Sequence, residues 1–195
     1  MLRGAAMQEL PIIAFESQEA WEAWLEANHA GSNGLWVKIA KKDTGIPTVT
    51  YAEAVTAALC FGWIDGQKGK FDAQFFLQKF TPRRPKSVWS QINRDKALDL
   101  IAQGKMREAG MREVERAKAD GRWDAAYASQ RNITVPDDLQ AALDAHPTAK
   151  AAFATLSSQN RYAILYRLTT AKKAETRQKR IEKFIAMLNA NQTIY

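Results

Sequence analysis

The residue types best suited to chemistry lie in one continuous stretch, Cys60–Ser90, with the sequence CFGWIDGQKGKFDAQFFLQKFTPRRPKSVWS. Asp65 stands between Trp63 and Gly66 with Lys68 and Lys70 close by, a candidate hydrogen-bond acceptor or general base at the floor of a cleft. The same Asp-Gly pair equally reads as a hairpin turn whose carboxylate bonds its own backbone. Further along, Pro82 and Pro85 bracket Arg83 and Arg84. Two guanidiniums on a restricted backbone suit bidentate capture of a carboxylate or phosphate, because a stiff loop loses less entropy on binding. In that reading Trp63 and Trp89 are the walls of a pocket for a small anionic ligand, and Lys68 belongs to its cationic rim.

Other chemistries find little support. Gly62, Gly66 and Gly69 have neither Walker nor dinucleotide spacing and no helix follows them, so no nucleotide cofactor is expected; glycine in a strand fits a bulge or a close backbone approach. His29 and His146 are the two histidines, and neither has Cys, Asp or Glu at ligand spacing, so no metal site is expected. No serine sits in an elbow motif. Cys60, the single cysteine, lies in the apolar run AVTAALCFGWI and reads as a space-filling thiol of a reducing cytoplasm. No catalytic group is assigned.

Several elements must position these residues. PIIAF (Pro11–Phe15) is a short strand, and Ser17 caps a helix with Trp21, Trp24 and Leu25 on one face and Glu19, Glu22 and Glu26 on the other. LWVKIAKK (Leu35–Lys42) alternates as a strand. Thr50 and Glu53 form a capping box ahead of a second helix, apolar nearly all round. AQFFLQKF is apolar on both faces, which predicts an interior strand. A helix is expected from an Asn93 cap to Gly104, another over Glu108–Ala119, and Arg122–Pro136 is a surface connector. From Pro136 onward the periodicity is helical, and in the last helix Arg177 shares the apolar face of Ile181, Phe184 and Leu188. An arginine so placed needs a partner: a structural ion pair, or the pocket. The fold class is therefore α+β, a small mixed or antiparallel sheet packed with helices (residues 10–122), followed by an all-helical C-terminal region (136–195) packed on it.

Charge is unevenly distributed: −3 over residues 1–60, +5 over 61–130 and +5 over 131–195. Seven basic residues against two acids between Arg167 and Lys183 favour, as the alternative to a pocket, a surface for a protein, nucleic-acid or other polyanion partner, or an acidic membrane. The start MLRGAAMQEL has no apolar run of signal-peptide length, and no stretch approaches the roughly 18 apolar residues of a membrane span. A soluble, cytoplasmic protein without an integral membrane segment is expected.

Taken together, CFGWIDGQ, FTPRRPKSVWS, INRDKALDLIAQGKM, AKADGRWDAAY and LSSQNRYAILYRLTTAKKAETRQKRIEKFIAML resemble the bacterial bacteriocin-protection, YdeI/OmpD-associated family, from about Phe15 onward. The resemblance implies α+β architecture with a helical C-terminal region, and an association with tolerance of bacteriocins or antimicrobial peptides and with an outer-membrane porin. It implies no catalytic residues and no cofactor.

Overall fold

A computed structural model describes residues 10–195; the opening segment considered for a signal peptide lies, but for Leu10, outside the described residues. The chain forms two compact units, one running to Ser87 and including Asn93–Asp124, the other made of Val88–Ile92 and Ala125–Tyr195.

The first unit contains β1 (Ile12–Ala14), α1 (Gln18–Asn28), β2 (Leu35–Ala40), α2 (Tyr51–Cys60), β3 (Trp63–Lys70), β4 (Phe75–Pro82), most of α3 (Gln91–Ala102) and α4 (Glu108–Ala119). The sheet order is β1-β2-β4-β3, with β1 parallel to β2 and the other pairs antiparallel, so it is mixed. Local signals start the helices where expected. Ser17 Oγ accepts the Ala20 amide at 3.3 Å, and at α2 the Thr50 and Glu53 side chains each take the other's backbone amide, at 3.3 and 2.8 Å. Gly62 ends α2 in the left-handed region (φ 72°), where an added Cβ would stand 2.8 Å from the Ala109 carbonyl. A Cβ added at Gly110 of α4 would likewise stand 2.7 Å from the Leu59 carbonyl, so α2 and α4 pack backbone to backbone.

The core of this unit is aromatic. Trp21 stacks on Trp24 at 5.4 Å between ring centroids, and Trp63 meets both edge-on at 6.3 and 5.8 Å. The buried indoles find carbonyl partners: Trp21 Nε1 donates to Ala54 at 3.1 Å, and Trp63 Nε1 to His29 at 3.3 Å.

Two expectations need correction. Asp65-Gly66 is not the hairpin turn; it lies inside β3, where the register against β4 shifts between Asp65 and Lys68. The extra residue there is a β-bulge, and buried Gln78 donates to the Gly66 and Gln67 carbonyls at 2.9 and 3.3 Å. The chain instead reverses between Lys70 and Phe75, where Asp72 Oδ1 accepts the Gln74 and Phe75 amides at 2.8 and 2.7 Å. The second correction concerns α3, which starts at Gln91 rather than after an Asn93 cap. Its first amide donates to the Tyr127 carbonyl at 2.9 Å.

The second unit has a parallel bridge between Ser90 and Tyr127 and four helices: α5 (Asp137–Asp144), α6 (Pro147–Ala154), α7 (Ser158–Thr169) and α8 (Ala174–Asn189). Leu139, Phe153, Ile164, Leu168, Phe184 and Leu188 are among the residues of its core. Among the described residues, no helix is long and apolar enough to cross a membrane.

Candidate functional site

Of the seven residues singled out in the sequence, Trp63, Asp65, Lys68, Arg83 and Arg84 lie in the first unit and Trp89 and Arg177 in the second. Trp63 is 1% exposed, so it is core rather than wall. Asp65 is half-buried on β3, and its carboxylate accepts the Tyr51 hydroxyl at 2.8 Å, joining β3 to the first turn of α2. The arginine pair is divided. Arg83 is buried (6% exposed) and its amide donates to the Gly62 carbonyl, while Arg84 is exposed in a turn closed by its own amide on Ser87 Oγ at 3.0 Å. Trp89 is 2% exposed and belongs, with Arg177, to the second unit.

Lys68 lines an open cleft. At the turn end of the β3–β4 hairpin an open cavity of about 910 Å³ is bordered by Lys41, Lys42, Lys68, Lys70 and the rings of Phe71, Phe75 and Phe76. Sheet register assembles it: Ala40 pairs with Phe75, which brings the β2 end with Lys41 and Lys42 alongside the hairpin, and Lys70 pairs with Phe76. Cations rest on the rings: Lys38 Nζ lies 4.0 Å from the Phe75 centroid and 4.5 Å from that of Phe71, and Lys68 Nζ lies 4.2 Å from that of Phe76. Lys41 Nζ donates to the Asp72 and Ala73 carbonyls, at 2.7 and 3.1 Å, which orders its ammonium without neutralising it. The Asp72 carboxylate is engaged by the turn amides. The result is a positive field beside apolar rings, suited to an anion that carries a flat or apolar part.

A smaller cavity of about 420 Å³ reaches Cys60 between Glu22 and Arg107. Burial, with help from Glu22, pushes the Cys60 thiol up to about 11, so it is protonated at neutral pH and is no nucleophile. Among the described residues no group of three or more His, Cys, Asp and Glu is placed to hold a metal ion.

Residues 13–113, just over half the chain, match the family described as a domain of unknown function, DUF8412, and residues 132–191 match the family described as Bacteriocin-protection, YdeI or OmpD-Associated. The chain belongs to the DUF8412 family and carries a YdeI/OmpD-associated domain. No curated protein and no solved structure matches it. The motifs FGWIDG and FTPRRP, and the cleft, fall within the DUF8412 region, whereas the LSSQNRYAILYRLTTAKKAETR motif falls within the YdeI/OmpD-associated domain.

In the YdeI/OmpD-associated domain the basic tail is largely committed to its own structure. Arg177 meets Asp138 with two hydrogen bonds, Nε to Oδ2 at 2.5 Å and Nη2 to Oδ1 at 2.8 Å, and its Nη1 donates to the Leu168 carbonyl at 2.6 Å. Arg180 donates to the Arg167 carbonyl, so two guanidiniums, of Arg177 and Arg180, meet the negative end of α7, while Arg167 donates one turn back to Ala163. Lys179 pairs with Glu175 at 2.7 Å. Sequence reasoning on the DUF8412 region misses Lys41, Lys42, Phe71, Phe75 and Phe76 as site residues. The signal that could have found them is the density of Lys and Phe around the hairpin, but only strand register shows that AKKD and KFDAQFF come together.

Proposed function

We propose that the chain binds an anionic ligand with an apolar or aromatic part in the cleft at the end of the β3–β4 hairpin. One observation carries the reading: four lysines and three phenylalanines share that cleft, and its Asp72 carboxylate is already held by backbone amides. The alternative surface along Arg167–Lys183 is disfavoured because Arg167, Arg177 and Arg180 bond their own domain's carbonyls. A role in bacteriocin protection is suggested by the description of the family that residues 132–191 match. Amphipathic antimicrobial peptides are rich in Lys and Arg, and a chain of net charge +7 repels them.

Calorimetric titration with phenyl phosphate and inorganic phosphate tests this. Phenyl phosphate binds more tightly than phosphate, the Lys68→Ala, Lys70→Ala double variant weakens it by about tenfold, and Arg84→Ala leaves it unchanged. Absence of binding to the wild type, or equal binding by the lysine variant, overturns the proposal.

A further inference from the structure

The cleft continues onto an open face of the sheet. Opposed residues in an antiparallel pair share a face, so the pairs Trp36–Lys79, Lys38–Leu77 and Ala40–Phe75 place all six side chains on one side. The opposite side carries Leu35, Val37, Ile39 and Phe80, which are buried in the core. On the open side Leu77 is at the buried limit, Trp36, Lys38, Phe75 and Lys79 are half-buried, and Ile12 of β1 is 50% exposed. The Trp36 ring lies against Gly69, 3.6 Å from where a Cβ would be, and Gly69 itself lines the cleft. Lys79 Nζ stands over Trp36 at 5.9 Å, as Lys38 stands over Phe75. From Trp36 to Ala40, the partner of Phe75, β2 spans about 13 Å.

We infer that this strip takes single-stranded nucleic acid, an inference that rests on the anion-binding reading of the cleft. Each ring of the strip has a lysine ammonium above its π-face. A nucleotide strand supplies substitutes for both halves of that arrangement: its phosphates draw the ammoniums away, and its bases stack on the rings they leave. An acidic peptide satisfies the lysines but leaves the rings bare, and a duplex hides its base faces. The lysines available are Lys38 and Lys79 on the open face, with Lys42 where the cleft begins at the end of β2.

The test is fluorescence anisotropy with a labelled ten-residue oligothymidylate, a duplex of the same length, and phenyl phosphate as competitor. The full chain binds the single strand in preference to the duplex, with log K falling against log salt at a slope of about −2 to −3, as three or four phosphate contacts require. Trp36→Ala weakens binding by about tenfold while Trp36→Phe largely restores it, each variant checked by its thermal melt. No binding of the single strand, equal binding of the duplex, or no loss in a folded Trp36→Ala protein overturns the inference. Phenyl phosphate binding without oligonucleotide binding overturns this inference and spares the cleft; loss of both removes the two together.

Discussion

The hairpin lysines and the tail arginines are about equally conspicuous in the sequence, yet they do opposite things. In the C-terminal unit Arg177 and Arg180 bond carbonyls at the end of α7, Arg167 bonds that of Ala163, and Arg177 adds a two-pronged bond to Asp138. In the sheet unit, Lys38 and Lys68 rest on phenylalanine rings, and Lys41 bonds carbonyls only, so their charge is not neutralised by these contacts. Positive charge density therefore says little about availability. What matters is which acceptor the fold supplies: Arg177 finds a carboxylate as well as a carbonyl, whereas Lys41 finds carbonyls alone.

Substitutions can break this contrast. The largest effect is expected at Trp63, where alanine removes a fully buried indole that touches two others and should cost about 3–5 kcal/mol of stability, read by denaturant unfolding. A loss below about 1 kcal/mol would return Trp63 to the role of pocket wall.

Next comes Arg177→Ala, expected to cost about 1–3 kcal/mol after allowance for partial exposure of the pair. Arg177 holds the Asp138 carboxyl below the ordinary carboxylate range. A carboxyl depressed by folding stabilises above its unfolded pKa, about 3.9, and that contribution fades as pH falls through the folded value. The wild type should thus lose stability on acidification below about pH 4 more steeply than Arg177→Ala does. Parallel acid profiles would show that the pair does no structural work.

The smallest effect is expected from Lys68→Ala with Lys70→Ala: a shift within about 0.5 kcal/mol, measured by thermal melting without ligand. A large destabilisation would mean that these lysines, like the tail arginines, already serve the fold.

Local signals are legible in the sequence because each is completed within a few residues. Ser17, the Thr50–Glu53 box, the alternation of Leu35–Ala40 and the helix Glu108–Ala119 are of this kind. The inward place of Arg177 is also legible from its shared face with Ile181, although its partner Asp138, 39 residues earlier, is not. The site is harder. Lys41 and Phe75 meet only through the β2–β4 register, and a strand apolar on both faces looks wholly interior although Phe75 and Phe76 are half-buried. Trp63 misleads for a related reason: its position beside Asp65 suggests a pocket, and nothing in the residues around it shows that Trp21 and Trp24 enclose it.

The bulge in β3 acts as a parity switch. Counting straight on from the Asp65–Phe80 pair would set Lys68 opposite Leu77 and Lys70 opposite Phe75, on the open face. With one residue inserted, Lys68 and Lys70 cross to the side of Phe76, and Gly69 falls opposite Leu77, leaving bare backbone beside the Trp36 ring. A lysine in that place would drive the indole off the sheet. One residue more or fewer between Asp65 and Lys68 thus decides, with composition almost unchanged, which side of the sheet bears charge and which bears a ring.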